Sequence, residues 1–155
     1  MGTRSRIGYE LPGGGVTSVY CHWDGHVKHN GRILVEHYQD REAVEKLIAG
    51  GAISSLRTRA TWNSGRPIED DHGMYILDAE GQIMHENDRD PQPLYYTERG
   101  EELSIQHTDI ADLYNNRSGE EFAYLYDLNG NWKAWAIGWG KEPTKRVDIP
   151  GYVTA

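Results

Sequence analysis

The 155-residue chain has a single cysteine, Cys21, and a single phenylalanine, Phe122. One thiol excludes an internal disulfide and any metal site built from several cysteines. One Phe beside five Trp and ten Tyr means that the large rings available for burial mostly carry a polar handle, which needs a hydrogen-bond partner wherever it is buried. Positive charge is also scarce. Sixteen Lys and Arg against 24 Asp and Glu leave a formal charge of -8, whereas a protein that tracks a phosphate backbone needs a cationic footprint. Nucleic acid is therefore not the expected partner. A discrete anionic molecule is still possible, because a few arginines suffice to hold one. No apolar run is long enough to span a bilayer and no signal-peptide core is present, so no membrane partner is expected. The opening "MGTRSR" has Gly2 but places Arg6 where a myristoylation signal takes Ser or Thr.

What the chain does have is punctuation, with 18 Gly and 6 Pro. Residues 5–23 read as a hairpin turning at "PGGG". Residues 31–49 carry apolar positions at helical spacing, broken at Asp40, a natural N-cap, and stopped by Gly50-Gly51. A short strand is predicted around Arg59 to Trp62, and a second hairpin has strands near 74–78 and 82–86. A further strand is expected at 102–106, then a helix over 108–115 capped by Thr108. Asn129-Gly130 sits between alternating segments and predicts a two-residue hairpin turn. That turn pairs Leu128 with Asn131. It sets Phe122, Tyr124, Tyr126, Leu128, Trp135 and Ile137 on one face, with Leu125 and Trp132 on the other. The pattern predicts one α+β domain over 1–155. Its mostly antiparallel sheet is built from hairpins and packed by helices from 31–49 and a short helix near 108–115. The polar tail 141–155 is expected to lie over the surface.

The densest chemistry is "YCHWDGHVKHNG", residues 20–31. His22, Asp24, His26 and His29 are metal-ligand types, but the spacing matches no zinc motif. Strand alternation also sends His22 to the face opposite Cys21 and Trp23. Asp24-Gly25 is a turn signal and Asn30-Gly31 opens the following helix, so the stretch reads first as a corner with Trp23 beneath that helix. "EDDH", residues 69–72, reads as a solvated loop. "LPGGGVTS" joins two strands, whereas a phosphate-binding loop leads into a helix. No nucleophile signature is present, so no catalytic residue and no cofactor is assigned. Rings beside arginines are what a nucleobase site uses. The candidates are Tyr20, His22, Trp23, Asp24 and Trp62 for the heterocycle and ribose, with Arg4, Arg6, Arg57 and Arg59 for phosphate.

The first 50 residues carry a resemblance. "MGTRSRIG", "VYCHWDG" and "HNGRILVEHY" are similar to the opening of a family of small proteins encoded by bacteriophages and prophages. Its members begin MGTRS and carry a YCHWDG motif before the first helix. The family often continues HWDG with Tyr-Pro, where His26-Val27 stand here. The resemblance implies a viral origin, a host bacterial cytoplasm and an accessory task such as countering host defence. Together with the rings and arginines, the expectation is a non-enzymatic homodimer that sequesters a small anionic nucleotide-like signalling molecule. Two alternatives stay open. One is a metal-dependent hydrolase of such a nucleotide, using His22, Asp24 and His26 or His29. The other is a protein–protein inhibitor whose acidic surface docks onto a basic face of a host defence factor.

Overall fold

Alternating apolar residues in Ser5–Glu10 (β1) and Gly15–Cys21 (β2) pair antiparallel, with Ile7 opposite Val19 and Arg6 opposite Tyr20. In the computed structural model, which describes residues 3–56, 66–79, 81–86, 93–115, 119–138 and 141–152, this hairpin is the centre of an α+β fold. The remaining strands are Ile53–Ser55 (β3), Leu94–Tyr95 (β4), Gln106–Asp109 (β5), Phe122–Tyr126 (β6), Trp132–Ala136 (β7) and Lys145–Val147 (β8). They form a mostly antiparallel eight-stranded sheet in the order β4-β3-β2-β1-β6-β7-β8. β1 lies parallel to β6. The outer edge of β2 is shared: β5 pairs with Gly15 to Ser18, and β3 meets Cys21.

One face of the sheet is roofed by a π-helical turn, Val27–Gly31, and by Arg32–His37 (α1) and Arg41–Ala49 (α2). Asp40 caps α2 by accepting the Ala43 N–H at 2.8 Å. Ile7, Val19, Leu34, Val44, Leu47 and Ile48 fill the space between. The buried rings find partners for their polar ends. Tyr124 donates to the Gly25 carbonyl, and Trp132 Nε1 donates to the Tyr38 carbonyl at 2.8 Å. The opposite face holds a smaller cluster of Val16, Leu113, Ala123 and Leu125 under Ile110–Asn115 (α3). There Tyr114 stacks on Trp135 at 4.7 Å.

Several sequence expectations change, among them the strand expected at 102–106, which forms instead at Gln106–Asp109. The hairpin after β6 has a three-residue loop, Leu128 to Gly130. The Asp127 N–H bonds the Asn131 carbonyl at 2.9 Å, and Gly130 sits at φ +81°. Asp127 selects this loop: its carboxylate accepts the N–H groups of Asn129 and Asn131 at 2.9 and 3.0 Å. Tyr124 therefore faces Ala134, not Trp135, and Phe122 faces Ala136, not Ile137. Because side chains alternate along a strand, this one-residue shift moves Trp132 to the helix-covered face and Trp135 to the α3 face. Thr108 lies in β5, and α3 begins after it. Residues 145–152 are no surface tail: β8 extends the sheet and Ile149 is buried. β3 was not anticipated, and the strand expected at 59–62 lies outside the described residues. The second hairpin is a small meander with bridges Pro67–His85, Glu69–Tyr75 and Leu77–Ile83.

Cys21 is sealed beneath the roof, and burial pushes its thiol up to about 12. Burial raises Tyr95 to about 12 as well. Both groups ionise more readily in the unfolded chain, where a thiol and a phenol titrate near 9.0 and 10.0. Above about pH 9 the unfolded state therefore holds fewer protons than the native one, and stability falls as pH rises towards 12. Urea midpoints are expected to be flat from pH 7 to about 8.5 and to drop beyond it. Cys21→Ala should make that drop less steep. A midpoint that stayed level to about pH 11 would contradict the burial of these groups.

Candidate functional site

The stretch from Tyr20 to Gly31 is built as a corner. The N–H groups of His22 and Trp23 donate to the carbonyls of Ile53 and Ser54, each at 3.0 Å, so the chain beyond β2 still follows β3. Asp24 then turns it at φ +58°, a conformation that Asp tolerates better than most residues. Gly25 donates to the Thr3 carbonyl at 2.8 Å, and a Cβ at residue 25 would lie 2.8 Å from that same oxygen. Only glycine fits. Buried Asn30 ties the corner together, its amide donating to the Trp23 carbonyl at 2.9 Å and to Cys21 Sγ at 3.4 Å.

The corner disperses its titratable groups. His22 Nδ1 lies 2.6 Å from the Tyr20 hydroxyl. His26 Nδ1 accepts the Lys28 N–H and caps the π-helical turn, with its ring edge on Phe122. Asp24 and His29 approach each other only to 4.0 Å, both well exposed. Among the described residues no three His, Cys, Asp or Glu side chains are grouped to hold a metal ion. Glu69 to His72 are exposed, and Asp70 is a turn former that accepts the N–H groups of His72 and Met74.

The two N-terminal arginines have different fates. Arg6 is buried: Nε and Nη2 donate to Glu120 Oε1 at 3.3 and 3.2 Å, and Nη1 donates to Ser18 at 3.4 Å. Its guanidinium is spent inside the protein. Arg4 is exposed, with Nη1 over Gly119, and no carboxylate among the described residues pairs with it. Arg57, Arg59 and Trp62 lie outside the described residues.

Tyr20, His22 and Trp23 form a row of rings, with centroids 5.9 Å apart for the first pair and 4.7 Å for the second. Trp23 is 42% exposed, a correction to the expectation that the helix covers it. His22 meets the indole edge-on at 90°. Burial pushes the Tyr20 phenol up, partly opposed by the nearby Arg4 guanidinium; Tyr96 and Glu120 also act on it. Arg99 lies over the Tyr96 ring at 5.6 Å, so a second ring and cation border the row. Sequence reasoning counts Tyr96 among the chain's rings without placing it beside Tyr20, and does not single out Arg99 or Glu120, because closeness to Tyr20 depends on strand pairing between distant segments.

No protein family, curated protein or solved structure matches this chain.

Proposed function

We propose that the protein binds a small anionic, nucleotide-like molecule along Tyr20, His22 and Trp23, with Arg4 on its phosphate, and holds it without turnover. The observation that carries this reading is an exposed indole braced by His22, near the exposed Arg4 guanidinium, which pairs with no carboxylate among the described residues. A base that stacks on one ring gains about 1–3 kcal/mol, and an arginine adds charge-assisted hydrogen bonds to phosphate oxygens. The Tyr20 hydroxyl is a natural donor to His22 Nδ1, which leaves the ring proton on Nε2 to meet a base or ribose. Capture without chemistry is supported by the sealed thiol of Cys21 and by the dispersal of His22, Asp24, His26 and His29. The family resemblance supplies the setting, a phage accessory protein in a bacterial host intercepting a defence signal, with two copies as the expected assembly.

Protein incubated with extract of phage-infected cells, washed and then heated, is expected to release an intact nucleotide detectable by mass spectrometry. Tryptophan quenching by cyclic dinucleotides and cyclic ADP-ribose isomers then identifies its class. Trp23→Ala should weaken binding by roughly 5- to 100-fold, and Arg4→Ala should weaken it for phosphorylated ligands only. Release of a cleaved product would move the assignment to a hydrolase. An affinity indifferent to Trp23→Ala, or no retention across the panel, overturns the reading.

One observation favours a second reading. The meander over 66–86 exposes Met74, Tyr75, Ile76, Leu77 and Ile83 beside Glu69, Asp70, Asp71 and Asp78. Exposed apolar side chains interspersed with carboxylates fit a protein partner that has a basic rim. In that case one host protein is captured with no small molecule retained, and Tyr75→Lys abolishes capture.

A further inference from the structure

The helix-covered side of the molecule contains a cleft, remote in sequence from the ring row and independent of the function proposed above. It has a volume of about 460 Å³ and lies where α1, α2 and the start of β4 meet. That is within the range of small-molecule sites, roughly 300–1,000 Å³. Tyr38, Ala43, Leu47, Pro93 and Tyr95 line it with carbon. The Tyr95 wall is preformed: its hydroxyl donates to the Leu47 carbonyl at 2.7 Å, and its ring lies so close over Gly50 that a Cβ there would sit 2.3 Å away. A wall pinned at its polar end and seated on glycine does not have to be ordered by a ligand.

The polar part of the lining is one ammonium and one imidazole, with no carboxylate among the described lining residues. His37 closes α1 and Lys46 is in the last turn of α2; both side chains border the cleft and both are exposed. Neither has an ion pair or hydrogen bond among the described residues. The acids of α2 are accounted for elsewhere. Glu45 is engaged by Arg41 at 3.3 Å, Glu42 is in the first turn, and neither lines the cleft. In a chain with eight surplus negative charges, an apolar hollow whose ionisable lining side chains among the described residues, the tyrosines apart, are Lys46 and His37 favours an anionic ligand.

We infer that this cleft binds a small amphiphilic carboxylate, with the apolar body between Tyr38, Leu47 and Tyr95 and the carboxylate at Lys46 and His37. Sodium octanoate and its neutral counterpart 1-octanol are suitable probes, followed by NMR shift changes on the whole chain. Octanoate is expected to saturate in the millimolar range or below and to shift signals of Ala43, Leu47 and Tyr95. Lys46→Gln should weaken octanoate roughly two- to fivefold, as for an exposed ion pair, and leave 1-octanol unchanged. Ala43→Trp fills the cleft and should abolish binding of both. Ala43→Leu is the smaller plug if the tryptophan variant fails to fold. Three results would overturn the inference: no saturation at about 10 mM octanoate, octanoate affinity unchanged in the plugged variant, or an equal response of both probes to Lys46→Gln.

Discussion

Glu120→Ala is expected to cost about 3–5 kcal/mol of folding stability, the usual penalty for breaking a buried ion pair from one side. The Arg6 and Glu120 side chains are 8% and 3% exposed. Glu120 Oε1 takes both Nε and Nη2 of the guanidinium, and Ser18 is the other partner. Removing the carboxylate leaves a cation that can neither reach water nor lose its proton. Glu120 Oε2 already has no hydrogen-bond partner among the described residues, so within them the pair is itself incompletely satisfied. The double variant Arg6→Met, Glu120→Leu should therefore recover most of the loss, because an apolar pair of similar volume has no charge to desolvate. Urea unfolding decides between these outcomes. With a slope of about 1–3 kcal/mol per molar, Glu120→Ala should lower the midpoint by one molar or more, and the double variant should return close to wild type. A single-variant loss below about 1 kcal/mol would mean that the pair is solvated after all.

Ile149→Ala should cost about 2–4 kcal/mol, in the range for large-to-small changes in a core. Ile149 is 4% exposed and belongs to the same cluster as Tyr124 and Leu34. It seats against Gly31 so closely that a Cβ there would be 3.2 Å from its Cγ2. Nearby, the Tyr152 hydroxyl accepts the Trp132 N–H at 2.8 Å, so Tyr152→Phe is expected to lose about 1 kcal/mol. Lys145→Ala, at an exposed position of β8, should stay within about 0.5 kcal/mol. Thermal unfolding of the three variants is the measurement. If Ile149→Ala and Lys145→Ala behaved alike, the last dozen residues would be dispensable to the core.

These two residues also mark where sequence reading stopped. Asp40 as an N-cap, the break between α1 and α2, the first hairpin and the corner at Asp24-Gly25 were legible, because each depends on residues within a few positions of one another. Ile149 sits in a polar stretch with two prolines, and no periodicity signals a strand three residues long. Asn129-Gly130 marked its turn correctly but not the loop length. Two residues or three was decided by the Asp127 carboxylate, and that choice exchanged the faces of Trp132 and Trp135. Within the candidate site, Tyr20, His22 and Trp23 were visible as a cluster of residue types. Whether Trp23 lay under the helix or in solvent was not, since its exposure depends on how β3 and Asn30 hold the corner.

The amino-acid sequence by itself determined the local grammar: where the chain turns, where helices are capped, and that its rings would need partners for their polar ends. Only the tertiary structure decided which of the two N-terminal arginines stayed exposed. Arg4 and Arg6 are equivalent in sequence terms. Arg6 meets a carboxylate 114 positions away, and Arg4 meets none among the described residues. Such pairings are set by the order in which strands come together, and the energy of a buried charge depends on neighbours that no short stretch of sequence contains.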